Sequence, residues 1–406
     1  MSCSTSAAHD QTLPSHWLGA LGHEGYRLFF PLGAVYAALW PLLWVLVLGF
    51  NLPLAHTVPP SLWHAHEMLI GAFGAGLIGF LTIAVPEWTD TAPPRGRVLW
   101  TLAALWGVGR MVGLLGWDGL GLIGALADLA WMLALLGFVL HLSWQKRTDR
   151  LLAFALWLGL LIACTVVARW SFAMGDLALA TKALHLLGLA YLGLLGLALA
   201  RISVPITNLV LDPSEETSPY RPHPGRLHLA SGLVLVAMAG EVAGLSAAVT
   251  GYLCLAAGAA FMDRVAEGFI GREMLRSEIL MLTGSAFLAG LGLILMGTAR
   301  LGASWSEMAG VHVALMGGLG LSLYAVYSMA GLLHTHHPLC IPRRVRAGAL
   351  LLVLSVVLRV GQEFGLDLPG PLHALAALTW AAAFGVWLYV YWPMFTKVER
   401  VTPSIA

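Results

Sequence analysis

The segment Trp63-His64-Ala65-His66-Glu67-Met68 places two imidazoles and a carboxylate at the head of an apolar, glycine-rich run, Leu69 to Val85. Neutral imidazole is a ligand for haem iron, copper and zinc, and it also relays protons. Ionisable groups carried into hydrocarbon are costly, so their presence there points to function. Pro59, Pro60 and Ser61 precede the run; Ser61 reads as the helix N-cap, with His64 and His66 in the first two turns. Two residues turn a regular helix by about 200°, so His64 and His66 face different directions. His66, the deeper, is the first choice of metal ligand. His64 shares a face with Glu67, which would orient its ring or deliver protons, a catalytic role for Glu67. The bland alternative is a helix start that meets only headgroup water.

Other polar groups fall at a similar depth. His185, His312 and His373 each open a later apolar run, and Arg110, Arg169 and Arg359 lie within runs. Imidazoles beside guanidinium groups suit haem, whose iron takes the former and whose two propionates pair with the latter. The rival reading pairs the arginines with Glu67, Asp128, Glu241 or Glu363 as structural ion pairs. A weak internal repeat supports the grouping. His66, His185 and His312 lie 119 and 127 residues apart, and each is followed eight residues later by glycine: Gly74, Gly193 and Gly320. Such small residues let a neighbouring helix or a flat ligand approach the backbone. A further cluster, His334-Thr335-His336-His337-Pro338-Leu339-Cys340, resembles a copper or zinc site, but Arg343, Arg344 and Arg346 follow at once and favour a basic stop at the interface.

The elements that must position these groups are membrane helices. Of 406 residues, 59% are hydrophobic and 11% charged, with mean hydropathy +0.81, where a soluble domain carries about a quarter charged. Net charge is +1, which gives no sign of nucleic-acid binding. The four cysteines form no CxxC pair. There is no Walker A, GxGxxG, CxxCH or Gly-x-Ser-x-Gly sequence. Apolar runs of spanning length predict an all-α polytopic bundle of twelve helices: 28–50, 64–86, 97–117, 119–143, 150–173, 178–203, 228–245, 247–268, 275–299, 308–333, 347–366 and 371–395. The polar stretch 207–226 divides them into halves 28–206 and 227–395, flanked by tails 1–27 and 396–406. Lysine and arginine gather at the N-terminus and after the even-numbered runs; only Lys182 and Arg300 follow odd-numbered ones. By the positive-inside rule both termini are cytoplasmic, and the histidines lie in the outer part of the membrane.

From His64-Ala-His-Glu-Met-Leu69 the chain resembles the NnrS family of bacterial membrane proteins. The likeness continues through Ala84-Val-Pro-Glu-Trp-Thr89 and Pro93-Pro-Arg-Gly-Arg97 and includes Arg27-Leu-Phe-Phe30 and Trp63. It thins in the C-terminal half: Ser328-Met329-Ala330 stand where the family has an arginine, and Leu333 replaces a glycine. The resemblance implies a twelve-helix inner-membrane protein containing haem, of the non-covalent b type, and copper. It further implies partners that include nitric oxide or another small diatomic ligand, and a part in resistance to nitrosative stress. His64, His66 and Glu67 carry over directly, and His185 and His312 by position. Two other classes remain open: a haem–copper oxidoreductase reducing nitric oxide or oxygen, and a twelve-helix transporter of a metal or anion.

Overall fold

The computed structural model describes residues 17–50, 58–115, 118–366 and 370–397. Most of the two predicted tails, 1–16 and 398–406, lies outside the described residues. The chain is all-helical, 83% helix, with no strand among the described residues. Ten helices are long and apolar enough to cross a membrane. In chain order the long helices are α1 (Gly25–Phe50), α2 (Pro60–Thr89), α3 (Arg97–Leu115), α4 (Gly121–Gln145), α5 (Leu152–Met174), α6 (Leu177–Leu211), α7 (Arg226–Val242), α8 (Ala247–Val265), α9 (Ser277–Arg300), α10 (Glu307–His334), α11 (Arg343–Val360) and α12 (Leu372–Phe395). The two outside the ten are α7, at 17 residues, and α8, whose end carries Asp263 and Arg264.

Two boundaries differ from the sequence reading for clear reasons. The second helix starts at Pro60 with Pro59 as its cap, so Ser61 is inside it and is not the N-cap. Proline suits the first helical position because the N–H it lacks would be unpaired there anyway. The sixth helix runs on to Leu211 through Pro205, since Ile206 to Leu211 keeps an apolar helical pattern. The dividing loop therefore begins at Asp212. It is tied back to α6 by Asn208, whose amide donates to the Tyr220 carbonyl at 3.2 Å and accepts from the Tyr220 N–H at 2.7 Å.

Most consecutive helices pack side by side, and α12 packs on α1, closing the bundle. Three helices sit deepest. The apolar stretches of α2 and α6 are each 89% buried and that of α10 is 72%, against 39–56% elsewhere. These are the helices led by His66, His185 and His312. In this interior α6 touches α2, α9 and α10. The side chains filling it are large: Trp131, Trp157, Trp380, Trp387, Tyr191 and Tyr327 are almost wholly buried.

α2 and α10 also share a backbone irregularity. Each begins with a short α-helical piece, Pro60–His66 or Glu307–His312, widens into seven residues of π-helix, Glu67–Phe73 or Val313–Leu319, and resumes α-helix at Gly74 or Gly320. Stretches of π-helix are rare and concentrate at functional sites.

Candidate functional site

The predicted polar residues collect in three places. The first is sealed. His66 and Glu67 on α2, Arg110 on α3, Asp128 on α4 and Arg169 on α5 are all buried, with His66, Glu67 and Asp128 at 0% exposure. His66 Nδ1 lies 2.9 Å from Glu67 Oε1, and the Tyr36 hydroxyl donates to Glu67 Oε2. Arg110 donates to Asp128 Oδ1 at 2.6 Å, and its Nε sits 3.3 Å from Glu67 Oε2. Arg169 donates to Asp128 Oδ2, which also lies 3.7 Å from His66 Nε2. Two guanidinium groups thus face two carboxylates, and the formal charges cancel. Ion pairing of Arg110 and Arg169, the rival sequence reading, is what the geometry displays.

Glycines on α3 admit these carboxylates. A Cβ at Gly109 would lie 3.0 Å from Asp128 Cγ, and one at Gly113 would lie 2.5 Å from Glu67 Cδ. The two glycines flank Arg110 on the α3 surface, one turn apart. Glu67 belongs to His66, not to His64, because it is the first residue of the π-helical turn that follows His66.

His64 leaves on the other side of α2, as the rotation between the two histidines requires. Its ring stacks on Trp44 of α1 at 4.9 Å, and its Nδ1 is buried without a hydrogen-bond partner. Its charged and titratable neighbours are His312 on α10 and Arg359 on α11. His312 is half-buried, and its Nδ1 donates to the Met308 carbonyl at 2.7 Å. That bond fixes the tautomer and leaves Nε2 with a free lone pair. Arg359 has no carboxylate within ion-pairing distance among the described residues. The carboxylate that bears on it electrostatically, Glu363, is engaged by the Ser306 N–H at 3.1 Å and the Ser306 hydroxyl at 2.9 Å. His373, exposed at the start of α12, completes this group. Valines 313, 356 and 360 with Ala309 pack α10 on α11 and hold His312 and Arg359 close.

His185 stands apart in a third group. Its Nε2 is 3.1 Å from Glu241 Oε1 on α7 and 3.1 Å from Arg300 on α9, while Arg300 pairs with Glu241 at 2.7 Å and Glu307 at 2.6 Å. The five predicted histidines are thus shared among three groups, one on each side of α2 and one at the head of α6. His334, from the further sequence cluster, stacks on Tyr26 at 5.2 Å and lies 3.5 Å from Glu87. No three His, Cys, Asp or Glu residues gather at metal-holding distance among the described residues.

The three repeat glycines each receive an indole. A Cβ at Gly74 would lie 3.2 Å from Trp131, one at Gly320 2.5 Å from Trp380, and one at Gly193 closer still to Trp157. The flat surface each glycine opens is taken by a tryptophan of a neighbouring helix. Sequence reasoning missed Tyr36, Gly109, Gly113 and Arg300 as members of these sites. Only the position of Arg300, a lone cation after an odd-numbered helix, gave any signal.

A haem requires axial imidazoles with free lone pairs and cations free to meet propionates. In the sealed group both arginines are already neutralised. The group at His64, His312 and Arg359 offers an orphaned buried imidazole nitrogen, a ring held with Nε2 free and a guanidinium without an ion pair among the described residues, so it fits. No curated protein matches the chain. The family model described as NnrS protein matches residues 20–398. That span is nearly the whole chain and takes in every group described above: this membrane-helix protein belongs to the NnrS family.

Proposed function

We propose that the chain is a haem-binding inner-membrane protein that handles nitric oxide, with its metal site in the outer half of the membrane. Family membership supports a membrane protein related to nitric oxide. The observation that carries the haem assignment is the ring of His312, whose Nδ1 bond to Met308 leaves Nε2 free, with His64 in electrostatic reach and Arg359 without an ion pair among the described residues. His64 and His312 would hold the iron through their imidazoles, and Arg359, with His373 nearby, would hold a propionate. The haem, when bound, would supply an iron that takes a diatomic ligand in place of one of the two imidazoles. The chain's own part is to fix two rings from two helices and to balance the propionate charge. Nitric oxide is small and apolar, so it reaches such a site through lipid without a polar channel.

In this reading α7 and α8 also cross the membrane, giving twelve crossings with both termini cytoplasmic. The asymmetry of lysine and arginine supports that arrangement. Copper, implied by the family resemblance, would be a second metal. Glu67, locked among His66, Tyr36 and Arg110, serves the fold of the sealed group and not the haem.

The test is a visible spectrum of protein purified in detergent after expression with ample haem. A Soret band that moves on dithionite reduction and again with nitric oxide is expected, and His64→Ala or His312→Ala should remove it. A colourless wild-type protein, or a full Soret band in both variants, would overturn the assignment.

A further inference from the structure

Between α6 and α10 lies a cavity of about 30 Å³ that borders the His185 group and is otherwise outside the groups above. Leu184, Gly188, Leu189 and Leu192 of α6 line one side, and Val311, Ala314 and Leu315 of α10 line the other. Met296 of α9 and His185 complete the wall. His185 is the one polar side chain in it, and its Nε2 is already taken by Glu241 and Arg300. A water molecule needs two to four polar partners to be held in a protein interior, and an apolar cavity without them stays dry. The volume exceeds the roughly 10–15 Å³ that one water-sized molecule needs on this measure, so the space admits one small gas molecule.

Position adds to this. Val311 is the residue before His312, and Ala314 and Leu315 fall in the first turn after it. Gly188 sets the width, since a Cβ there would lie 3.3 Å from Leu315 Cδ1 across the gap. We infer that this cavity is a binding site for an uncharged apolar gas, holding it beside the helix turn that carries His312. The existence of the gas site is independent of the function proposed above; only the identity of the natural occupant as nitric oxide rests on that reading.

The probe is xenon, applied under pressure to crystals of the full-length protein. Xenon density among Leu189, Leu192 and Ala314 is expected, and Gly188→Val should abolish it there. Ordered water in the cavity, or xenon bound only elsewhere, would overturn the inference whether or not the protein carries haem. In haem-loaded protein, recombination of nitric oxide after flash photolysis should slow several-fold in Gly188→Val. An unchanged rate alongside displaced xenon would leave the gas site standing and remove its link to the haem.

Discussion

His66 and His312 occupy one position in two different helices: each is the last residue before seven residues of π-helix, and each has its Nδ1 held by an oxygen acceptor, Glu67 in one case and Met308 in the other. Their surroundings separate them. His66 faces a closed set of ion pairs, whereas His312 lies in electrostatic reach of His64 and of an arginine with no ion pair among the described residues.

That difference predicts opposite phenotypes. His66→Ala should keep the Soret band but destabilise the protein by about 1.5–3 kcal/mol, the worth of a buried hydrogen bond to a charged group. His312→Ala should lose the band with little change in thermal midpoint. Arg359→Gln should weaken haem retention during dilution without abolishing the band. Spectra and thermal unfolding in detergent, measured on the same preparations, check all three.

Asp128 bridges Arg110 and Arg169, so Asp128→Asn leaves two buried guanidinium groups facing one carboxylate. Removing one member of a buried ion pair costs about 3–5 kcal/mol, and a lower unfolding temperature of that order is expected. Replacing Asp128 and Arg169 together by leucine should recover part of the loss, because the charge imbalance goes with them. Equal stability of Asp128→Asn and wild type would mean the network contributes nothing.

The three tryptophan seats give a ranking. Gly74→Ala needs a shift of a few tenths of an ångström from Trp131, while Gly320→Ala and Gly193→Ala collide with the rings of Trp380 and Trp157. Overpacking costs about 1–3 kcal/mol. Gly193→Ala should therefore be the most destabilising and Gly74→Ala the least, read from thermal midpoints of the three single variants.

The loop after α6 is organised by Asp212. Its carboxylate accepts from Ser214 and Thr217 hydroxyls at 2.5 and 2.6 Å and from their N–H groups at 3.1 and 2.8 Å. These donors, the Ser214 hydroxyl first, push its pKa down to about 2. A depressed carboxylate stabilises the loop fully above its ordinary value of about 4, and that contribution disappears as pH falls through the lowered value. Pepsin cleavage between 212 and 225 should therefore be slow at pH 4 and rise below about pH 2. Asp212→Asn should be cut readily at both.

The helices were legible because runs of apolar residues report directly on hydrocarbon thickness. The divergence of His64 from His66 was legible too, since it needs only the helix repeat. What the sequence left open was partnership. Arg110 and Arg169 have the same composition around them as Arg359, yet two meet Asp128 and the third meets no carboxylate among the described residues. That choice depends on which helices adjoin, and periodicity along one helix does not encode it. Likewise Gly74, Gly193 and Gly320 announced a close approach, but the tryptophans that make it lie 36 to 60 residues away in sequence. The extension of α6 past Pro205 follows an apolar pattern that the proline masked, whereas the π-helical segments leave no pattern at the level of single residues.

The π-helical segments decouple residue count from the aim of an imidazole. A residue in the wider turn rotates the helix by less than the roughly 100° of the α form, so each seven-residue segment carries about one residue more than an α-helix of equal rotation. One residue deleted between Glu67 and Phe73, or between Val313 and Leu319, would let the turn rewind as ordinary α-helix with the faces on either side kept close to their register. Related chains that keep both histidines but lack that residue would therefore point them the same way from a narrower helix.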